Sequence, residues 1–407
     1  MTIVNVLLLI LFCGLATQVV FLFILAIAGR SRNNNYPSSS DTSRHYLLIL
    51  PCYKDDSVIV ESVDAALAVD YPANKKKVLV IADNLQESTI AQLRQKAGVQ
   101  VVVVKFEKST KSKSLKTVLG QLEADKEQYD IAVILDADNI IMPDSIRKLN
   151  AAFDKGYKAA QLHRKAKNKN TPIAILDAIS EELNNHFFRK GARNIGGSCA
   201  LIGSGMAFEY PVLQSIMRTP GIEDNPGEDK EMEHILLKSG LVCEYINNGY
   251  VLDEKVQSTA VLEKQRTRWI SAQLLLAKKT FIDEFGDLFT TNWQYFLKSF
   301  QYLLVPRVLL LFFLNFLAVV FIVVAAFGWN GHPVQWYWWL TLALFYDITL
   351  LLAIPREYYN KSLAKALLAL PGSIFAIMKA SLKSKAKQRE FIHTVKTYNG
   401  DIPSNIQ

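Results

Sequence analysis

Apolar positions along this chain follow two patterns, long unbroken runs near its ends and short runs between them. From Val4 to Ala28 the residues are almost all apolar, with no charge. At ~1.5 Å per helical residue that run is long enough to cross a ~30 Å hydrocarbon core. The pattern predicts a membrane span, and Tyr302–Phe327 and Trp336–Ile354 predict two more, joined by Gly328–Gln335, which contains no Lys or Arg. Ala364–Ala380 is shorter, contains Pro371-Gly372 and is bracketed by lysines, so it reads as an interfacial or re-entrant helix.

Between His45 and Asp138 the apolar runs shorten to strand length. Tyr46–Leu50, Lys77–Ala82, Val101–Phe106 and Ile131–Leu135 are strand candidates, and Val58–Val69, Ser88–Lys96 and Lys113–Lys126 between them have helical spacing. Strands alternating with helices predict an α/β fold, an open and mostly parallel sheet with helices on both faces, with membrane helices at both ends of the chain. The expected organisation is an anchor over 1–30, a linker over 31–44, a catalytic-type domain over 45–280 and an interfacial helix region over 281–301. Two spans then occupy 302–354, and a basic segment runs from 355 to 407.

Charge sets the orientation. Arg30 and Arg32 follow the first apolar run, and Arg356, Lys361, Lys365, Lys379, Lys383, Lys385, Lys387 and Arg389 follow the last. Positive flanks mark the cytoplasmic ends of spans, so residues 45–280 are expected in the cytoplasm of a multi-pass protein of the cell inner (plasma) membrane. Trp329, Trp336, Trp338 and Trp339 cluster where interfacial aromatics are expected. A cleaved signal peptide is the competing reading of the first run, through Ala26-Ile27-Ala28. No Lys or Arg precedes that run, and it exceeds the usual ~7–15-residue core.

Composition adds little beyond this. The chain of 407 residues is 50% hydrophobic and 21% charged, with a net charge of +8. Juxtamembrane lysines facing anionic lipid account for much of that charge, and no motif favours nucleic acid. Cys13, Cys52, Cys199 and Cys243 have neither redox nor zinc spacing.

Candidate chemistry lies where the strands end. Ligands of such sheets bind beyond the carboxyl ends of the strands, and there the chain places Asp55, Asp56, Asp83, Asp136 and Asp138. Asp and Asn also populate loops and cap helices, which is the competing reading for the first three. Alternate carboxylates such as Asp136 and Asp138 can enter one site, and hard oxygen ligands suit Mg²⁺ or Mn²⁺ bridging phosphates. The chain has neither Gly-x-Gly-x-x-Gly after the first strand nor Gly-x-x-x-x-Gly-Lys-[Ser/Thr], which argues against a dehydrogenase or a P-loop ATPase. Downstream, Glu228-Asp229 opens a helical stretch, and the offsets i, i+3 and i+4 place Gln265, Arg268 and Trp269 on one helix face.

In this order the motifs resemble those of the membrane-bound family 2 glycosyltransferases, the group that includes cellulose synthase and hyaluronan synthase. The resemblance implies that Pro51, Tyr53 and Asp55 lie against the nucleoside and that Asp83 reads the base. Lys111, in Lys111-Ser112-Lys113-Ser114-Leu115, would contact phosphate, or else belong to a solvated lysine cluster. Asp138 would ligate the metal, and Asp136 the metal region or the ribose. Gly203 and Gly205 would approach the acceptor sugar, or merely serve a turn, with Glu228 also on the acceptor side. Asp229 would be the general base, or cap its helix, or both. Gln265 and Arg268 would hold the diphosphate and Trp269 would lie under the acceptor, unless this is an amphipathic helix resting on the membrane. Phe391–Lys396 is similar to a gating loop in which Thr394 and Lys396 touch the diphosphate, or is a basic membrane-surface tail.

The function so implied is inverting, metal-dependent transfer, with Mg²⁺ or Mn²⁺, from a nucleotide sugar taken as a UDP-sugar. The acceptor would be a membrane-held lipid or a growing glycan. An inactive nucleotide-sugar-binding scaffold is the competing class. Within the enzyme class, single-sugar transfer stands against processive synthesis, and a homo-oligomer or an export subunit could complete a channel.

Overall fold

A computed structural model describes residues 3–40, 42–224, 227–328 and 331–384. Trp329, Thr394 and Lys396 lie outside the described residues. Eight strands form one sheet: β1 (Tyr46–Tyr53), β2 (Lys76–Asp83), β3 (Val99–Val104), β4 (Ile131–Ile134), β5 (Ile140–Ile141), β6 (Ala159–Ala166), β7 (Met206–Glu209) and β8 (Cys243–Asp253). Their spatial order is β3-β2-β1-β4-β7-β6-β8-β5.

The parallel expectation holds for β1 to β4 and again for β6 with β8. Elsewhere the sheet is mixed, because β7 runs antiparallel to both β4 and β6 and β5 runs antiparallel to β8. Strand periodicity sorts side chains to two faces. Leu48, Leu50, Val78, Val80 and Val133 pack with Ile59, Val63, Ile146 and Leu149 on one face. Leu47, Ile49, Leu79, Ile81 and Ala132 pack with Leu115, Val118 and Leu119 on the other. Burial on both faces explains why these strands read as continuous apolar runs rather than as alternating ones.

Among the described residues four helices are long and apolar enough to cross a membrane by length and composition: Ile3–Ser31, Arg307–Ala326, Trp336–Ala353 and Lys361–Lys383. One expected boundary changes here. The run beginning at Tyr302 is two elements, a helix Trp293–Tyr302 and a longer one that starts at Arg307 after Pro306. Proline supplies no backbone donor and restrains its predecessor, so the chain turns there. The segment read as interfacial or re-entrant lies inside one continuous helix, Lys361–Lys383, which includes Pro371 and packs on the helices Pro172–Asn184 and Thr259–Lys278.

Trp339 also departs from its expected place at an interface. It is fully buried, stacked on Phe321 at 5.0 Å and edge-on to Phe12 at 5.1 Å, inside the core formed by Val19, Leu22, Leu314 and Ala343. Arg30 fastens the first helix to the third by donating to the carbonyl of Leu352.

Candidate active site

Because β1, β2 and β4 are parallel neighbours, their carboxyl ends share one edge of the sheet. Just past β1 and β2, Lys54 and Asn84 adopt left-handed conformations with φ of 59° and 57°. Such non-glycine backbone is costly and concentrates where side chains must be aimed. The Lys54 N–H donates to the Asp83 carbonyl at 3.2 Å, and Asn84 Nδ2 donates to Asp83 Oδ1 at 2.8 Å. Asp83 is thereby held nearly inaccessible, and burial pushes its carboxyl pKa up against hydrogen bonding from Ser109 and Asn84.

The helix Lys111–Ala124 begins at the same edge, capped by Thr110, whose side chain accepts from the Lys113 N–H at 3.2 Å. Its first residue, Lys111, donates to Asp136 Oδ1 and to the Gly203 carbonyl, each at 2.5 Å, and stands 3.8 Å from Glu228 Oε1. Burial works against the ammonium charge, but the Asp136 and Glu228 carboxylates more than offset it, so the Lys111 pKa is raised. Lys111 is therefore neither a solvated lysine nor a cation open only to phosphate; it ties three segments of the site together. The backbone of Asp136 is held by the Ser204 hydroxyl, which accepts its N–H at 2.9 Å. Asp138 is almost fully buried, and the following Asn139 donates to Asp253 Oδ1 at 3.2 Å.

The two glycines separate. Gly203, with φ of +83°, faces the site, where a Cβ would lie 3.9 Å from both Lys111 Nζ and Glu228 Oε1. Gly205 immediately precedes β7 and does not line the cavity. Its N–H donates to Ile134 O at 2.8 Å, and a Cβ would come within 2.9 Å of Val251 Cγ1. Its glycine serves close packing, so the acceptor contact inferred for it has no geometric support.

Glu228 and Asp229 open the helix Glu228–Lys238, and Asp229 Oδ1 accepts the Lys230 N–H at 2.8 Å. Both carboxylates also line the cavity, so a structural position at the helix start and exposure to the site coincide. Burial raises the Glu228 pKa; Lys111 opposes the rise, and the adjacent Asp229 charge adds to it.

The helix Thr259–Lys278 forms the opposite wall, started by Ser258, whose side chain accepts from the Val261 N–H at 3.4 Å. Gln265, Arg268 and Trp269 line the cavity, as their spacing predicts. Arg266 does so as well: its guanidinium lies over the Trp269 ring, 4.3 Å from the centroid, and its Nη2 donates to Asp177 Oδ1 at 2.7 Å. One face of the indole is therefore covered.

Sequence spacing missed a buried ion cluster beneath the site. Glu181 accepts from Arg164 at 2.7 Å and from Arg189 at 2.8 Å, while Lys255 pairs with Asp253 at 2.7 Å and stands 3.6 Å from Glu181. Burial alone would raise the Glu181 pKa, but Arg164, Lys255 and Arg189 hold it well below the usual carboxylate range. These residues come from β6, the end of β8 and the loop after it, and two helical segments. Only the basic run His163-Arg164-Lys165 inside a strand hinted at them.

Asp83, Lys111, Asp136, Asp138, Glu228, Asp229, Gln265, Arg268 and Trp269 all line one cavity of about 1050 Å³. Its floor is the charged edge of the sheet, and its far walls are Leu304, Val308, Leu311, Leu350, Leu367 and Ile377 from the membrane-type helices and their approach. Among the described residues no cluster of three His, Cys, Asp or Glu could hold a metal ion. Asp136 and Asp138 nonetheless fit a hard cation, since Mg²⁺-type sites commonly use one or two carboxylates and complete the shell with substrate phosphates and water.

Residues 43–272 match the sequence model of a family described as "Glycosyltransferase like family 2". The chain belongs to that family. The chain is 21% identical over 244 residues to an N-acetylglucosaminyltransferase of Rhizobium leguminosarum bv. viciae. The match covers 58% of this chain and 55% of that protein, so the chain spans about half the length of this curated relative. In structure it resembles a mannosyltransferase from Pyrobaculum calidifontis solved in complex with GDP-Man and Mn²⁺. That alignment has a TM-score of 0.57 and 14% identity, and covers 93% of this chain and 98% of the other.

Proposed function

We propose that this family 2 glycosyltransferase moves a sugar from a uridine diphosphate sugar to an acceptor held in the membrane, with inversion at the anomeric carbon. The catalytic domain would face the cytoplasm at the cell inner membrane, as the basic residues after the first and last spans suggest. The observation carrying this reading is the single cavity that joins strand-end carboxylates to apolar walls from Arg307–Ala326, Trp336–Ala353 and Lys361–Lys383.

In this reading Pro51, Tyr53, Asp55 and Asp83 receive the nucleoside, and Gln265 and Arg268 hold the diphosphate. Asp138, with Asp136 beside it, would hold Mg²⁺ or Mn²⁺, which supplies counter-charge to the departing diphosphate. Lys111 keeps Asp136 oriented and adds positive charge at the same edge. Asp229 takes the proton from the acceptor hydroxyl as that oxygen attacks the anomeric carbon. The bond to the diphosphate oxygen breaks in the same displacement, and the nucleoside diphosphate leaves with the electron pair. Glu228 and Gly203 shape the acceptor side, and Trp269 offers its uncovered face to the sugar.

The deciding experiment is a donor screen that follows nucleotide release in the presence of Mn²⁺ or Mg²⁺. It should include GDP-mannose, because the mannosyltransferase neighbour was solved with that donor. Turnover with a UDP-sugar, lost in Asp138→Ala and Asp229→Asn, supports the proposal. Turnover with GDP-mannose alone would overturn the base assignment, and no turnover with any donor would favour the inactive scaffold.

A further inference from the structure

We infer that Lys230, the residue after the proposed base, binds the acceptor, its ammonium donating to the oxygens that flank the hydroxyl Asp229 deprotonates. This deepens the proposed transfer reaction and rests on that reading.

Lys230 stands in the first turn of the helix Glu228–Lys238, is half-buried and lines the cavity. Its backbone N–H is already taken, donated to Asp229 Oδ1 at 2.8 Å. Its side chain is not. Among the described residues the ammonium forms no ion pair, and its one hydrogen bond, to the Trp269 carbonyl, is long at 3.4 Å.

The carboxylates nearby are committed to other cations. Glu233, three residues further along the same helix and fully buried, is paired with Lys298 at 2.8 Å, and Glu231 is paired with Lys279. Asp177 is paired with Arg266 at 2.7 Å. Lys298 and Arg266 also line the cavity, but each already has its partner. Burial pushes the Lys230 pKa below the ordinary lysine value; Asp229 opposes the fall, Lys298 adds to it, Glu233 opposes it and Arg266 adds to it. A partly desolvated ammonium with spare donors is costly until a ligand supplies acceptor oxygens.

Two neighbours put Lys230 on the acceptor side of the proposed reaction. Asp229 precedes it in the chain, and the Trp269 backbone receives its long hydrogen bond. The donor side has its own lysine, Lys111, held by Asp136 and the Gly203 carbonyl. A sugar resting against Trp269 with one hydroxyl at Asp229 brings its neighbouring oxygens to the lysine, whose flexible stem and three donors suit such a contact. Fixing the acceptor in one orientation favours its attack over that of water. Water needs no such anchor, so transfer and hydrolysis should respond differently to loss of Lys230.

The test compares two reactions of the full chain with the donor that the screen selects. One is transfer of labelled sugar into the membranes that carry the protein, and the other is hydrolysis of the donor by purified protein in maltoside micelles. Binding of UDP with Mn²⁺ is measured beside them, and its retention shows that each variant is folded. Lys230→Met is expected to lower transfer at least about tenfold, the loss of one hydrogen bond from a charged group. Hydrolysis and UDP affinity should stay close to those of the unsubstituted chain, and Lys230→Arg should recover part of the transfer. Asp229→Asn, by contrast, should lower both reactions. Unchanged transfer in Lys230→Met overturns the inference, and so does an equal fall in transfer and hydrolysis. A parallel loss of UDP affinity overturns it as well, by placing the lysine on the donor side. Absence of both reactions in the unsubstituted chain overturns the transferase reading itself, and this inference with it.

Discussion

Lys111 and Asp136 meet at 2.5 Å, with the Gly203 carbonyl taking a second hydrogen bond from the same ammonium at the same distance. One lysine thus joins the start of a helix, the carboxylate following β4 and the glycine segment before β7. Lys111→Met leaves Asp136 and Glu228 facing each other without their shared cation. We expect a stability loss of about 1–3 kcal/mol and a donor affinity weakened by roughly tenfold, an order-of-magnitude figure for one lost charged contact. Thermal unfolding and nucleotide titration check the two effects separately.

Asp229→Asn keeps the shape of the helix start but removes the carboxylate proposed as proton acceptor. Transfer should fall by roughly 10²–10⁴ with donor binding little changed. Single-turnover rates beside donor dissociation constants test this, and a parallel loss of donor affinity would argue that Asp229 belongs to the donor side.

Arg266→Ala uncovers the second face of Trp269 and strands Asp177 in a buried position. The cation–π contact is worth about 0.5–2 kcal/mol, so the indole should loosen and acceptor KM should rise more than kcat falls. A double-mutant cycle with Trp269→Ala measures the coupling. Additive effects would mean that the stacking at 4.3 Å does not position the tryptophan.

The pH dependence of stability should carry a histidine signature. Burial, then Lys279, pushes the His234 pKa below its ordinary value near 6.5, with Glu231 and Glu284 opposing. A depressed folded-state pKa means that the unfolded chain binds the proton more readily. The stabilising contribution is therefore complete above about pH 6.5 and is lost as pH falls through the lower folded value. Melting temperatures between about pH 7.5 and 5.5 should decline, and the decline should flatten in His234→Gln. Glu181 is depressed too, but its contribution disappears only below the ordinary glutamate value of 4.5, so the two windows are distinct.

Gly205→Ala should cost more stability than Gly203→Ala. Both positions have positive φ, but only at Gly205 does a Cβ meet Val251 Cγ1 at 2.9 Å. Overpacking of this kind costs about 1–3 kcal/mol, measurable as folded yield and melting temperature.

The sequence alone determined what local pattern encodes. Uninterrupted apolar runs gave the helices Ile3–Ser31 and Trp336–Ala353, and the alternation before Asp138 gave four parallel strands. The spacing of Gln265, Arg268 and Trp269 placed all three on one cavity wall, because helix periodicity acts within a few residues. Tertiary structure decided everything that depends on segments distant in the chain. It set Lys111 on Asp136, laid Arg266 over Trp269, packed Gly205 against Val251, buried Trp339 and gathered Arg164, Glu181, Arg189 and Lys255 into one ion cluster. It also turned β7 antiparallel between β4 and β6. The physical reason is one of range: burial and charge pairing select partners in space, whereas periodicity and capping are written within a turn or two of the chain.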